Sequence, residues 1–144
     1  MNARVIVGVV GVVTLLLGLG GLLRPERVMN VVGYAVASDA SATLVRGEVR
    51  AVYGGLMIAA GVLTLLAAPA PRANQGKLML LGLLWVGAGF GRLFGVFVDG
   101  NPGVFGWFSV LLELGGGTAL LYAAQFAEET AIPAGSSTAP PFSA

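Results

Sequence analysis

The sequence predicts an all-α protein, a four-transmembrane-helix antiparallel bundle followed by a disordered C-terminal tail. Two observations carry that prediction. Only 10% of the 144 residues are charged, 56% are hydrophobic, and the mean hydropathy is +0.87. Soluble domains carry about 25% charged residues, so a chain this poor in charge cannot clothe a water-facing surface, and its solvent is lipid. The second observation is a set of four apolar runs. A hydrocarbon core about 30 Å thick is crossed by roughly 20 residues of helix, and helices satisfy their own backbone hydrogen bonds where no water can.

Taken in order, the first run is 5–23 and has no charge. Arg4 followed by apolar text has the look of a secretory leader. The run is longer than the usual signal core of about 7–15 residues, and no A-x-A site precedes "RPER", so it is expected to be retained. The second run, 46–68, is clearly apolar from Ala51 onward. The third, 78–98, is interrupted by Arg92, and the fourth, 104–127, by Glu113. The 23 glycines do not argue against helix, because glycine is commoner in membrane helices than in soluble ones. The four runs form one domain, 1–127. The tail, 128–144, is Pro, Ser, Thr and Ala with little to bury, which reads as disorder.

The connections differ. In "RPERVMNVVGYAVASDASATLV", Pro25 suits the first turn of a helix. Val28, Met29, Val31 and Val32 suit either a helix lying flat at the membrane surface or a loop packed on the end of the bundle. "PAPRANQGK" is a proline-rich turn, and "DGNPG" is a tight one. The echo of "GVVTLL" at 11–16 in "GVLTLL" at 61–66 lies on antiparallel neighbours and is no duplication. The clusters "GLGG", "GAGFG" and "GGG" sit inside spans, whereas a phosphate-binding loop needs a strand before it and a helix after.

The chain has no histidine and no cysteine. That removes thiol nucleophiles, disulfides, His or Cys ligation of metal or haem, and histidine proton relays. A net charge of +1 gives no attraction to nucleic acid. No cofactor and no metal are expected, and polar chemistry is left to Arg, Lys, Asp, Glu, Tyr and a few hydroxyls.

Antiparallel spans put the first and third connections on one side of the membrane, and the second connection with both termini on the other. Arg46, Glu48 and Arg50 open the second helix. Arg92 lies roughly 9 Å from the end of its run and Glu113 roughly 14 Å into its own, at 1.5 Å per residue. Asp99 stands in the turn between them. These six share one half of the bilayer and neutralise each other, three positive against three negative. Helical spacing also groups them by face: Arg46, Arg50, Tyr53, Gly54, Met57, Gly61 and Thr64 on the second helix, with Glu48 opposite; Ala88, Gly91, Arg92 and Gly95 on the third; Ser109, Glu113, Gly116 and Gly117 on the fourth. The pattern Gly87-x3-Gly91-x3-Gly95 is of the kind that lets membrane helices approach closely.

The expectation is that Arg92 faces inward to Glu113, with Asp99, Arg50 and Tyr53 nearby. An arginine at mid-helix costs roughly 2.5–3.5 kcal/mol on insertion scales, which favours a partner. Intramembrane ionisable residues are functional-site candidates; the alternative is a clasp that only fixes helix register. Trp85, Met57 and Met79 read as packing, and Trp107 as part of the interfacial aromatic belt. If Arg46 and Arg50 belong to the bundle, the positive-inside rule puts the termini in the cytoplasm.

The blocks "RPERVMNVVGY", "RGEVRAVYGGLMIAAGVL", "GRLFGVFVDGNPG" and "LLELGGG" resemble an uncharacterised family of small bacterial four-helix membrane proteins, described only as a domain of unknown function. The resemblance covers about 24–117 and rests most on R-G-E-x-R-A-x-Y-G-G joined to G-R-x6-D-G-x-P. It implies a four-helix protein of the bacterial inner membrane and brings no activity, substrate or catalytic residue with it.

Size, small-residue helix faces and the lack of a catalytic set favour a scaffold or accessory subunit, whose partners are the bilayer and other membrane proteins or a second copy. The alternative is a binding or transport module for a small or lipid-like molecule, using the Arg92 and Glu113 cluster as its polar pocket. Glu113 as a general acid or base would lack a nucleophile, metal or cofactor, so an enzyme is not expected.

Overall fold

The computed structural model of the chain describes residues 2–33 and 39–126. The tail, 128–144, and part of the first connection lie outside the described residues. The described elements are all helical: α1 (Ala3–Leu23), α2 (Pro25–Val32), α3 (Asp39–Val49), a π-helical turn (Arg50–Leu56), α4 (Met57–Ala67), α5 (Gln75–Asp99) and α6 (Gly103–Phe126). α3, the π turn and α4 run on as one rod. Four stretches are long and apolar enough to cross a membrane: Ala3–Leu23, Ser41–Ala67, Gln75–Asp99 and Gly103–Phe126. The architecture is that of a multi-pass membrane protein.

Local chemistry sets the ends. The Asn2 side chain accepts a hydrogen bond from the Arg4 amide at 3.0 Å and caps α1. Pro25 opens α2, where a missing N–H costs nothing, and Gly33 closes it in the left-handed region at φ 81°. Between α5 and α6, Asn101 Oδ1 accepts from the Gly103 amide at 3.1 Å and from Trp107 Nε1 at 3.2 Å. One side chain thus starts α6 and ties the interfacial tryptophan to the turn.

The rods pack as two hairpins, α1 against the α3–α4 rod and α5 against α6, joined chiefly where α1 meets α6. Lipid tails are as apolar as leucine, so helices in lipid associate through close packing rather than hydrophobic drive. Glycine supplies that closeness. A Cβ at Gly18 would stand 2.6 Å from the Ile58 amide nitrogen, one at Gly61 2.6 Å from that of Leu15, and one at Gly21 would collide with the Tyr53 carbonyl. In the second hairpin, a Cβ at Gly117 would lie 2.8 Å from the Gly82 carbonyl oxygen.

The pattern expected to do this on α5, Gly87, Gly91 and Gly95, does not. Gly87 and Gly91 have nothing within 4 Å of a Cβ position, and Gly95 meets only Asp99 of its own helix. α5 instead turns Leu78, Leu81, Gly82, Trp85 and Gly89 inward. That face alternates large and small residues, so it gains dispersion contacts that a face of glycine alone cannot offer.

The core lies at the end of the bundle that carries the described N-terminal residues. Val7, Ala67, Leu78, Leu120, Ala123 and Ala124 are fully enclosed there, with Ile6, Leu81 and Trp85 around them. Thr14 and Thr64 are buried without cost, because each hydroxyl donates to a carbonyl one turn back, Val10 and Ala60, at 2.7 Å.

Candidate functional site

At the opposite end the bundle is not filled. A cavity of about 210 Å³ lies there, lined by Leu17 of α1; Arg27, Val28 and Val31 of α2; Tyr53 and Met57 of the second rod; Trp85 and Arg92 of α5; and Phe105, Phe108, Ser109, Leu112 and Glu113 of α6. Every spanning rod contributes, and α2 closes one side.

α2 can do so because it is amphipathic. Pro25 and Met29 are buried, while Val28 and Val31 meet the cavity. The segment is therefore a helix, packed on the bundle end rather than lying free on the membrane surface.

Arg92 and Glu113 meet across the second hairpin. Arg92 Nε donates to both Glu113 oxygens, each at 2.8 Å. The glutamate side chain is 6% exposed and the arginine 34%. This is a side-on pair. An arginine has five N–H donors, and the pair uses the single one on Nε, so the four on the terminal nitrogens are left for other partners. Tyr53 is the second polar neighbour of Arg92. Ser109 is turned back on its own helix, donating to the Phe105 carbonyl at 3.0 Å. No buried side-chain nitrogen or oxygen among the described residues lacks a partner.

Of the seven residues singled out from the sequence, the cavity holds Arg92, Glu113 and Tyr53. The other four stand elsewhere. Arg46 donates from Nε to the Ala42 carbonyl one turn back, at 3.1 Å. Arg50, Glu48 and Asp99 are exposed on the outside of the bundle. The physical reason for the two arginines is the π turn, Arg50–Leu56. Its i→i+5 bonding slips the phase of the rod, so Arg46 before it and Arg50 at its start do not share the face that Gly61 and Thr64 present after it. The expected self-neutralising set of six is thus one ion pair, Arg92 with Glu113, and dispersed charges.

Sequence reasoning missed Arg27; Trp85 and Met57, read as packing, do pack in and against the core and line the cavity as well. The signal for Arg27 lay in its position, two residues after a proline that starts a short amphipathic helix. Nothing in the composition separated it from Arg24.

The chain belongs to the family described as Domain of unknown function (DUF4345), which matches residues 2–124. No curated protein and no solved structure matches the chain.

Proposed function

We propose that this member of the DUF4345 family is a membrane-embedded binding module that holds a small, lipid-like molecule in the cavity under α2. The supporting observation is the cavity itself: walls of valine, leucine, phenylalanine, methionine and tryptophan, with Arg27, Tyr53, Arg92 and Glu113 gathered among them. Apolar walls with a few convergent polar groups are the common form of a small-molecule site. Binding is a better reading than catalysis, because Glu113 gives both carboxylate oxygens to Arg92 and so is not a free base.

The test is purification of the full chain from its own membrane in mild detergent, followed by mass spectrometry of whatever accompanies it. A retained small molecule that disappears in the Tyr53→Phe/Arg92→Gln double variant, with the protein still folded, is the expected result. A stoichiometric protein partner and no small molecule would overturn the reading in favour of an accessory subunit.

We propose further that the protein lies in the bacterial cytoplasmic membrane, in line with the family resemblance, and that its termini face the cytoplasm. The absence of cysteine makes the orientation simple to measure. Ala73→Cys and Asn101→Cys sit in opposite connections, and a membrane-impermeant thiol reagent applied to intact cells should label the second. Labelling of the first would reverse the orientation.

A further inference from the structure

The charges on the cavity do not cancel. Arg92 is paired with Glu113, which leaves Arg27 of α2 as the uncompensated charge. It is exposed at the rim, and no ion pair to it is found among the described residues. Two guanidiniums and one carboxylate line the same apolar-walled space, so the site carries one net positive charge. An anion seated between the two guanidiniums balances the surplus charge of Arg27 and meets the donors of Arg92 that Glu113 leaves. Arg92 is already prepared for one, because its side-on bond to Glu113 leaves the four N–H groups of the terminal nitrogens to be shared between Tyr53 and a ligand.

Building on the binding reading above, we infer that the cavity takes an amphiphile with a singly charged carboxylate head, held between Arg27 and Arg92, its tail lying against Phe105, Phe108 and Leu112. The planar fork of arginine matches a carboxylate in geometry, and one negative charge matches the surplus. The buried Glu113 carboxylate opposes a second negative charge, which selects against doubly charged heads. A cavity of 150 Å³ accommodates a benzene ring, so this one holds about eight heavy atoms on the same scale: a carboxylate and a short length of chain. Because Arg27 arrives on α2, that helix supplies both a wall and half of the clamp.

Trp85 lines the cavity and can report the occupant directly. In the full chain in a neutral detergent, Trp107→Phe leaves Trp85 as the fluorophore, and Trp85→Phe leaves Trp107 to measure partition into the micelle. The probes are 5-bromopentanoate, 5-bromopentanol and (5-bromopentyl)trimethylammonium, whose bromine quenches tryptophan on contact. After correction by the Trp107 signal, the acid should quench Trp85 at about one tenth of the alcohol concentration, a factor that one charge-assisted hydrogen bond supplies. The ammonium probe should be weakest. Arg27→Gln should bring acid and alcohol within about twofold, and Arg27→Lys should restore most of the gap; these magnitudes follow from losing or keeping the charge.

Acid and alcohol quenching alike in the unmutated site, or a gap untouched by Arg27→Gln, would overturn the carboxylate clamp and leave the binding reading standing. Displacement of the acid probe by equimolar acetate would show that the site takes a free small anion and would overturn the amphiphile. No selective quenching of Trp85 by any probe would overturn the binding reading itself.

Discussion

The two ends of this bundle are built on opposite plans. At one end, Val7, Ala67, Leu78, Leu120, Ala123 and Ala124 are sealed from every solvent. At the other, the same rods stand around open space, with Arg27, Tyr53, Arg92 and Glu113 at its margin. Composition does not separate them, since apolar residues dominate both. Between α1 and the second rod the approach is close at both ends, with Gly21 on the Tyr53 carbonyl beside the cavity; between α5 and α6 the ends differ in the size of the residues at the crossing points. Small residues on α5 and α6, Gly82 against Gly117, draw the helices together on the sealed side. Toward the cavity the facing residues are Trp85, Arg92, Phe105 and Phe108, large side chains that frame the space. The sealed end anchors the fold, and the open end can therefore carry a group such as Arg27 that contributes little to stability.

That contrast can be broken first at its one strong polar link. Removing one partner of a fully buried ion pair costs about 3–5 kcal/mol. Arg92 keeps a third of its side chain exposed, so Glu113→Gln should cost less, about 2 kcal/mol, in reversible unfolding in mixed micelles. The Arg92→Gln/Glu113→Gln double variant should recover at least half of that loss, and strict additivity of the two single variants would refute the coupling. The next largest effect belongs to the glycine seams. A methyl at Gly61 meets Leu15 backbone, an overpacking of about 1–2 kcal/mol, so Gly61→Ala should lower the unfolding midpoint in the same assay. Gly91→Ala sharpens the comparison from the other side. Its methyl points into open space, and stability should stay within about 0.5 kcal/mol. Smallest of all should be the effect of Arg27→Gln on stability, also within about 0.5 kcal/mol; a large loss there would show that α2 depends on Arg27 for its seat, rather than on Pro25 and Met29.

Much of this was legible in the residues. The four spans follow from hydropathy and length, because the bilayer imposes both. The meeting of Arg92 with Glu113 follows from the high cost of an unpaired charge in lipid, together with depths that match across a tight turn. The phase of the helices was less legible. Glycine recurs on more than one face of α5, so spacing alone could not choose between Gly87, Gly91 and Gly95 and the face of Gly82 and Gly89; the bulk of Leu78 and Trp85 decided it. The π turn was invisible for a similar reason. A wheel drawn at 3.6 residues per turn carries Arg46 and Arg50 onto the face of Tyr53, and only a local change of pitch moves them off it. Arg27 was hidden by topology, since its place depends on how a helix of eight residues folds back over the end of three others.

The short turn between α5 and α6 also bears on how the chain enters the membrane. Glu113 follows Arg92 by 21 residues, with only Gly100, Asn101 and Pro102 outside the two helices. α5 alone would present an unpaired arginine to lipid, at roughly 2.5–3.5 kcal/mol; with α6 beside it the charge is answered by its sequence neighbour. Entry of α5 and α6 as a hairpin avoids that cost, whereas the cavity needs α1, α2 and the second rod as well.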